Sequence, residues 1–468
     1  MVKSLLNIVK LRRKKMVVAI DEAKKAQQEE QEKQEEETRF ARIEKILDSY
    51  KEDIISHIIE LISFESTVEN PKVCEDALAY LLDLGEKLGM TTGITPEKDA
   101  GFVEIGQGRE EVGILVHVDV VGIGDREGWD YPPFEGTIKD EYLFGRGVVD
   151  DKGPVIMSLY AMKALIEEGT PINKRIRLII GTREESTWTD IDHYKKSFEL
   201  PDYGFSPDGE FPIYNIEKGY ADVEIIFREE KLSKISGLES GDSPNTIPGK
   251  ATIEYLDGTR NEYIGKSVHS SEPWYGENAI LLLAQEEIKG KKLSDLQFIK
   301  FLGDHFLKDY GATLAMDDGL PTHKGLFVGK TIACPTIIKL TNEELFLNIN
   351  VRTKYGTTEA MIESAFEKAG GKYGFTFQIK EVLEAIMVNE KLPFLKQMNR
   401  VYERSGRKGG FHVANGTSYA KAMENFVCWG PVFPEEPSPA HEENERLSIP
   451  KMMEATRLYS EFLAVTSK

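Results

Sequence analysis

Cysteine is scarce in this chain. The 468 residues include three cysteines, Cys74, Cys334 and Cys428, which are too few and too scattered for a disulfide framework or a thiolate zinc site. Their scarcity indicates a reducing compartment, and it leaves histidine and carboxylate side chains as the ligands for any metal. Long apolar runs are lacking too, because no run approaches the ~20 residues that a membrane-spanning helix requires. We therefore predict no integral membrane segment.

Positive charge is also in short supply. The chain has 59 lysines and arginines against 79 aspartates and glutamates, a formal net charge of −20. A balance of this sign repels nucleic acid and anionic membranes and is typical of a cytoplasmic enzyme. With 40% hydrophobic residues, a chain of this length can form two or three domains with full cores.

The N-terminal segment, residues 1–38, differs in composition from the rest. Met1–Lys15 carries six lysines or arginines and no acid, Met16–Ile20 is a short apolar patch, and Asp21–Thr38 is rich in Glu, Gln and Lys. The patch is too short for a signal-peptide core, and the charged tract offers no apolar face. We predict that the charged tract is a solvated helix or disordered within a mobile extension, with a targeting or membrane-surface segment as the alternative. Folded structure is predicted to begin near Phe40, where apolar residues recur at helical spacing.

A strand–helix–strand pattern follows. Apolar runs at 113–121 and 175–180 flank a helical pattern at 155–166, which is the unit that builds a parallel sheet. We therefore predict an α/β fold: a mixed, largely parallel sheet with helices on both faces in a catalytic domain, plus an inserted α+β lid domain. The predicted boundaries are 39–215 and 384–468 for the two parts of the catalytic domain and 216–383 for the lid. Within the second part, GGFHVANGTSYAKAM is expected to be a Gly-rich loop that runs into a helix.

Polar side chains follow the apolar strands directly. His117 and Asp119 are two positions apart, so on extended backbone they share a face, and Asp119 can orient the imidazole for a metal. Asp150 follows a Gly-rich turn, and Glu184 with Glu185 follows the second strand, at the sheet edge where open α/β sheets bind ligands. Taken singly, such residues are more often core histidines, helix caps or surface acids.

Nine motifs occur in order from about Arg42 to the C-terminus: HVDVV, GWDYPPF, GRGVVDDKGP, GTREES, FSPDGEFP, GKSVH, NVRT, GTSYAKAM and AHEENE. In this order and spacing they resemble the co-catalytic zinc metallopeptidase family. That family includes peptidase V-type dipeptidases, carboxypeptidase G-type enzymes, aminoacylases and succinyl-diaminopimelate desuccinylases. The peptidase V branch is the most similar.

The resemblance implies two divalent metal ions and a set of site residues. His117 and Asp208 would bind one ion, Glu185 and His441 the other, with Asp150 bridging. These ligands suit Zn²⁺, Mn²⁺ and Co²⁺, so the sequence does not choose the metal, and Zn²⁺ is the one that we expect. The resemblance also implies that Asp119 orients His117, that Glu184 is the general base, and that the Asp150–Asp151 peptide bond is cis.

Further implied residues lie in the predicted lid and after it. His269 and Asn245 would stabilise the oxyanion, and the lid would close over the substrate. Arg352, with backbone N–H groups at Gly416 and Thr417, would bind a C-terminal carboxylate. Only 23 positions separate Asn245 from Val268, where the family usually has a longer stretch, so part of the lid is expected to be missing or rerouted.

The resemblance implies hydrolysis of dipeptides by a monomeric enzyme, and the composition indicates that this enzyme is cytoplasmic. An N-acyl amino acid deacylase or a carboxypeptidase of the same fold is the nearest alternative, because it would share every metal ligand. An alternative of another class is a catalytically silent relative that binds peptides, whose signature would be a lost ligand or base.

Overall fold

The structure is a computed structural model, which describes residues 25, 27–28, 30–290, 292–341 and 344–467. The chain divides into two compact units. The first comprises Met1–Glu210, Pro393–Gly409 and Gly430–Lys468, and the second comprises Phe211–Leu392 and Gly410–Trp429. The basic leader and apolar patch of residues 1–20 lie outside the described residues. Among the described helices, none has both the length and the apolar character that a bilayer crossing needs.

The α-helices of the described residues are α1 (30–49), α2 (Lys51–Ile62), α3 (Pro71–Lys87), α4 (Lys152–Glu168), α5 (Thr189–Ser197), α6 (Ala279–Gly290), α7 (Gln297–His305), α8 (Glu359–Tyr373), α9 (Pro393–Arg404) and α10 (Ile449–Thr466).

The strands before residue 241 are β1 (Thr91–Ile94), β2 (Ala100–Gly106), β3 (Glu111–His117), β4 (Thr137–Lys139), β5 (Tyr142–Phe144), β6 (Arg175–Gly181), β7 (Tyr203–Ser206), β8 (Gly209–Glu210), β9 (Ile213–Glu217), β10 (Gly219–Phe227) and β11 (Ile235–Ser240). The later strands are β12 (Thr246–Ile247), β13 (Lys250–Tyr255), β14 (Arg260–Ile264), β15 (Val268–His269), β16 (Thr322–His323), β17 (Leu326–Phe327), β18 (Ile332–Thr341), β19 (Glu344–Thr353), β20 (Phe375–Leu383), β21 (Ile386–Met387), β22 (Phe411–Ala414), β23 (Phe426–Cys428), β24 (Pro431–Val432) and β25 (Arg446–Ser448).

The first unit is built on a mixed sheet in the order β1-β2-β6-β3-β7. Strand β3 pairs in parallel with β6 and β7, whereas β1 and β2 form an antiparallel edge. Helix α4 connects β3 to β6, so the predicted strand–helix–strand unit is confirmed. Every residue of β3 is buried, as expected for a strand in the middle of a sheet. Helices α2 and α10 pack against α4.

Burial in the first unit begins at Arg39 and Phe40. The N-terminal part of α1, residues 30–38, is largely exposed. The buried Arg39 donates to the Glu168 carboxylate at 3.0 Å and to the Ala464 carbonyl at 2.6 Å, which ties α1 to α4 and α10. The start of burial therefore lies at the boundary that the change of composition predicts.

The second unit contains a seven-stranded sheet in the order β14-β13-β11-β18-β19-β10-β20, whose pairings are antiparallel. Helices α6, α7 and α8 contribute buried apolar side chains to the same core as this sheet. The sequence reading did not predict α6 and α7, although the buried Ala279, Ile280, Leu283 and Ala284 of α6 follow helical spacing.

Residues 410–429 belong to the second unit, whereas the sequence reading placed all of 384–468 in the catalytic domain. Strand β22 pairs in parallel with β9, and β23 pairs with β9 as well, so backbone hydrogen bonds connect this segment to the second unit. A strand interrupts the loop expected over GGFHVANGTSYAKAM, and the expected helix is wrong. The segment forms β22, and a short 3₁₀ turn follows at Tyr419–Ala422. Its pairing partner is nearly 200 residues away, which local propensity cannot indicate.

Candidate active site

His117 is the last residue of β3 and is fully buried. Its Nδ1 atom lies 2.9 Å from the backbone carbonyl oxygen of Asp119, an acceptor that has no proton to give. Nδ1 of the neutral ring therefore carries the proton, and the Nε2 lone pair points the other way. Nε2 lies 3.0 Å from Asp150 Oδ1 and 3.8 Å from Asp208 Oδ2. A nitrogen lone pair that faces two carboxylates is the arrangement that a bound cation stabilises.

Asp119 connects the ends of β3 and β6. Its carboxylate accepts hydrogen bonds from the backbone N–H groups of Glu184 at 3.1 Å and of Glu185 at 2.9 Å. The sequence predicts that Asp119 orients His117. In the structure Asp119 contacts His117 through its backbone carbonyl, and its carboxylate also holds the turn that carries Glu184 and Glu185.

Glu445 holds the loop that carries Asp150. It is buried, with 1% of its surface exposed, and its carboxylate accepts from the backbone N–H groups of Gly147 at 2.9 Å, Val149 at 2.8 Å and Asp150 at 3.3 Å. The buried Arg146 guanidinium donates to the same carboxylate at 2.8 Å. The sequence reading missed this residue, because a glutamate within a run of acids resembles a surface residue. The Asp150–Asp151 peptide bond is cis, as the resemblance implies.

Two groups of potential metal ligands lie in the first unit and share Asp150. The ligand atoms of the first group, His117, Asp150 and Asp208, lie within 4.8 Å of one another, and so do those of the second group, Asp150, Glu185 and His441. His441 Nε2 lies 3.0 Å from Asp150 Oδ2 and 2.9 Å from Glu185 Oε1. Each oxygen of Asp150 therefore faces one histidine, as a bridging carboxylate would. The structure brings together all five predicted metal ligands.

Burial and charge crowding raise the pKa values of Glu184, Glu185 and Asp208, whereas at Asp150 burial is outweighed by His117 and His441, which lower the pKa. Removal from water raises the pKa of the Glu184 carboxyl well above its usual value, and the charges of Glu185, Asp208 and Asp150 add to the effect, against an opposing contribution from His117. Burial first and Asp150 second raise the pKa values of Glu185 and Asp208. The cluster thus concentrates negative charge in a site with little water, and divalent cations would neutralise it.

The donor set fits such ions. Each group supplies one imidazole nitrogen and carboxylate oxygens from two residues, the ligand types that Zn²⁺, Mn²⁺ and Co²⁺ accept. Asp119 supplies the hydrogen-bonding support that metal-binding histidines usually have. His441 is the most open of the five ligands, with 48% of its side chain exposed.

A third group, Glu97, Asp99 and His193, also has ligand-type atoms close together. This group differs from the two that share Asp150, because a positive charge already lies beside it: the Arg183 guanidinium is 3.9 Å from the Asp99 carboxylate. His193 Nδ1 pairs with the same carboxylate at 2.7 Å, and Thr95 donates to its other oxygen at 3.1 Å. Asp99 therefore already has partners, and an arginine here disfavours a cation. These contacts give His193 a structural role.

The second unit brings Asn245, His269 and Arg352 together. Thr246 pairs with His269 across the β12–β15 ladder, so Asn245 lies next to His269. The amide of the buried Asn350 donates to Asn245 Oδ1 at 3.0 Å, and Asn350 Oδ1 accepts from Arg352 Nε at 3.1 Å. The short stretch between Asn245 and Val268 is occupied by the β13–β14 hairpin. The sequence reading did not identify Asn350, which connects two of the predicted residues.

The loop of Asn415, Gly416 and Thr417 follows β22 in the same unit. Its position is set by the backbone N–H group of Lys218, which donates to the Ala414 carbonyl at 3.0 Å, and by Asn415, whose amide donates to Glu272 Oε1 at 3.3 Å. The Thr417 Oγ1 atom is buried and makes no hydrogen bond to another described residue. This loop therefore presents a buried hydroxyl donor that a ligand could use.

The mixed sheet and the two ligand groups that share one carboxylate define a dinuclear metallohydrolase. The chain belongs to the peptidase family M20/M25/M40, whose model matches residues 113–465. The "Putative dipeptidase YtjP" of Bacillus subtilis (strain 168) is 31% identical over 469 residues, which cover 89% of this chain and 98% of that protein. The family accounts for the motif order that the sequence shows.

Two solved structures share the fold. Human carnosine dipeptidase 1 matches with a TM-score of 0.62 at 14% identity, covering 91% of this chain and 98% of that one. An M20 family metallo-carboxypeptidase from Sulfolobus solfataricus matches with a TM-score of 0.58 at 17% identity, covering 88% of this chain and 98% of that one. At these identities the comparison shows the fold.

Proposed function

We propose that this chain is a dinuclear metal-dependent dipeptidase, which hydrolyses the peptide bond of short peptides that have a free C-terminal carboxylate. The observation that carries the proposal is the pair of ligand groups that share Asp150, with Glu184 directly beside the ligand Glu185. The similarity to a relative named as a dipeptidase supports the choice of substrate.

We assign His117, Asp150 and Asp208 to one divalent ion and Asp150, Glu185 and His441 to the other. Zn²⁺ is the proposed metal, because imidazole nitrogen and carboxylate oxygen are among its usual ligands. When bound, the two ions would polarise the scissile carbonyl and lower the pKa of water. Asp119 fixes the tautomer of His117, and Glu445 fixes the loop of the shared ligand.

Glu184 is assigned the proton transfers. It belongs to neither ligand group, and burial raises the pKa of its carboxyl well above the usual value. A carboxylate with a raised pKa accepts a proton from the attacking water more readily, and its acid form can then protonate the leaving amine. The hydrogen bond from the Glu184 backbone N–H to Asp119 holds this residue in place.

Substrate binding is assigned to the second unit. His269 and Asn245 supply hydrogen-bond donors for the developing oxyanion, a role that their adjacency across the β12–β15 ladder supports. Arg352, with the backbone N–H groups of Gly416 and Thr417, binds the carboxylate. The buried position of the Arg352 guanidinium supports this role, because a buried cation requires an anion.

A substrate panel with the Glu184→Gln variant tests the proposal. The wild type, loaded with Zn²⁺, Mn²⁺ or Co²⁺, is expected to hydrolyse Ala-Ala, and a chelator should abolish the activity. Glu184→Gln should lose at least ~100-fold in kcat while it still binds metal. Glu127→Gln, an exposed acid of the same unit, serves as the control with unchanged activity.

Three outcomes would contradict the proposal. Cleavage of N-acetyl-alanine but not of Ala-Ala would favour the deacylase alternative, and release of only the last residue from longer peptides would favour a carboxypeptidase. Binding of peptides without hydrolysis would favour the silent relative. The choice of zinc, the monomeric state and the cytoplasmic location stay predictions, which metal analysis, sedimentation and cell fractionation would test.

A further inference from the structure

Two cations of the second unit are buried and form no ion pair with a described residue. Lys218 is 3% exposed and Arg352 is 4% exposed. Arg352 donates through Nε to Asn350 and lies over the Tyr220 ring, 4.9 Å from its centroid, but neither cation has a carboxylate within 4.0 Å among the described residues. Lys354, which is equally buried at 3%, shows the usual solution, because it forms ion pairs with Asp317 and Asp318.

The strand register places Lys218 next to the strand position that pairs with Arg352. Tyr220 lies opposite Arg352 in the β10–β19 ladder, and Gly219 lies opposite Thr353. Lys218 directly precedes β10, so along the chain it lies two residues from Tyr220, the position opposite Arg352. Burial, and then the charge of Arg352, lower the pKa of Lys218 to about 8, which supports the proximity of the two cations.

Other groups around Lys218 belong to the predicted carboxylate-binding loop. The Lys218 backbone N–H bonds to Ala414, directly before Asn415, Gly416 and Thr417. Thr417 contributes the buried hydroxyl that bonds to no other described residue. Two buried cations that pair with no carboxylate of the described residues, and a buried hydroxyl in the same unit, have the composition of an anion site.

We propose that Lys218, together with Arg352, binds the free α-carboxylate of the substrate, so that this carboxylate is the counter-ion of both buried cations. That the carboxylate belongs to a dipeptide rests on the function proposed above. Burial of an unpaired ammonium is costly, and a carboxylate between the two cations offsets that cost. The pair also explains specificity, because an amide or an extended chain at this position would leave both charges uncompensated.

The test compares a carboxylate with its amide. Binding of Ala-Ala and of Ala-Ala amide to metal-loaded Glu184→Gln protein is measured by calorimetry, with Lys218 intact, replaced by Met, or replaced by Arg. Lys218→Met should weaken Ala-Ala binding roughly 30-fold, as removal of one partner of a buried charge pair does, and should leave the amide nearly unchanged. Lys218→Arg should restore part of the preference. Lys380→Met removes the same charge from an exposed strand position of the same unit and should have no effect.

The outcomes separate this inference from the proposed function. The role of Lys218 would be overturned if Lys218→Met lost affinity equally for Ala-Ala and for Ala-Ala amide. It would also be overturned if the ratio of the two affinities stayed unchanged and only the melting temperature fell, because Lys218 would then be structural. A missing preference for the carboxylate in the Lys218-intact protein would overturn it too. If the wild type hydrolyses no dipeptide but the preference for Ala-Ala exists and Lys218→Met removes it, the carboxylate site stands and the dipeptidase proposal fails.

Discussion

Glu445→Gln is the change that best tests how the metal centre is held. The Glu445 carboxylate accepts from three backbone N–H groups and from the Arg146 guanidinium, which is 2% exposed. Glutamine keeps one oxygen and places an NH₂ group where the other was. Each oxygen of Glu445 accepts from two donors, so in either orientation of the amide its NH₂ group faces two N–H donors that have lost their acceptor. Arg146 also loses the negative charge that it pairs with.

The expected magnitude follows from these contacts. Loss of one partner of a buried ion pair costs about 3–5 kcal/mol, and the bonds that the remaining oxygen keeps reduce the cost to roughly 2–4 kcal/mol. At about 2–4 °C per kcal/mol, the melting temperature of the metal-free protein should fall by roughly 5–15 °C. Because Asp150 belongs to both ligand groups, displacement of its loop should weaken metal binding by about 10–100-fold.

Calorimetry of the metal-free protein and competition titration with a zinc indicator measure the two effects separately. Glu442→Gln is the matched control, since Glu442 is an exposed acid three residues away. A variant with a lower melting temperature but wild-type zinc affinity would refute the positioning of Asp150 by Glu445. Unchanged stability would refute the energetic reasoning as well.

The remaining predictions concern three other side chains. Asp119→Asn should weaken zinc binding by about 10–100-fold, because its carboxylate holds the turn of two site glutamates; the same competition titration measures it. The affinity for Ala-Ala should be constant below pH about 8 and fall above it by up to about tenfold per pH unit. Lys218 must be protonated to bind the carboxylate, and burial and the charge of Arg352 lower its pKa to about 8. Glu272 and Cys334 are the other titratable groups that act on Lys218. Glu168→Gln should lower stability at pH 7 by roughly 2–4 kcal/mol, because Arg39 loses its buried partner. Burial works to raise the pKa of Glu168, but hydrogen bonds from Thr170, Arg42 and Arg39 lower it to about 2. The stability difference between the wild type and Glu168→Gln should therefore be present above pH about 4.3 and disappear as the pH falls to about 2.

Each of these predictions has an outcome that contradicts it. Wild-type zinc affinity in Asp119→Asn would mean that the turn holds its shape without the carboxylate. In Lys218→Arg the pH dependence of binding should vanish, because a guanidinium does not titrate in this range, and its persistence would assign the titration to another group. A stability difference for Glu168→Gln that persists at pH 2 would show that it comes from packing and not from charge.

Much of the first unit could be predicted because its signals are local. Continuous apolar runs predict buried strands, helical spacing predicts α4, and polar residues directly after β3 and β6 predict side chains at one sheet edge. The motif order then predicts which of those side chains meet, and all five metal ligands do.

Contacts between distant residues could not be predicted in this way. Glu445 bonds to Asp150 across 295 positions, and Asn350 bonds to Asn245 across 105. The segment of β22 pairs with β9 although its glycines indicate a loop. Helix α6 is a different case, since its apolar spacing is a local signal that the sequence reading overlooked.

The sequence by itself determined the parallel core, the residue types of the metal centre and the family. Periodicity and motif order are properties of neighbouring residues, so they can be read along the chain. Only the tertiary structure decided that Glu445 holds the loop of the shared ligand and that Lys218 lies buried with no carboxylate of the described residues within 4.0 Å. Both depend on which distant groups share a site with little water, where an unpaired charge costs far more free energy than it does in solvent.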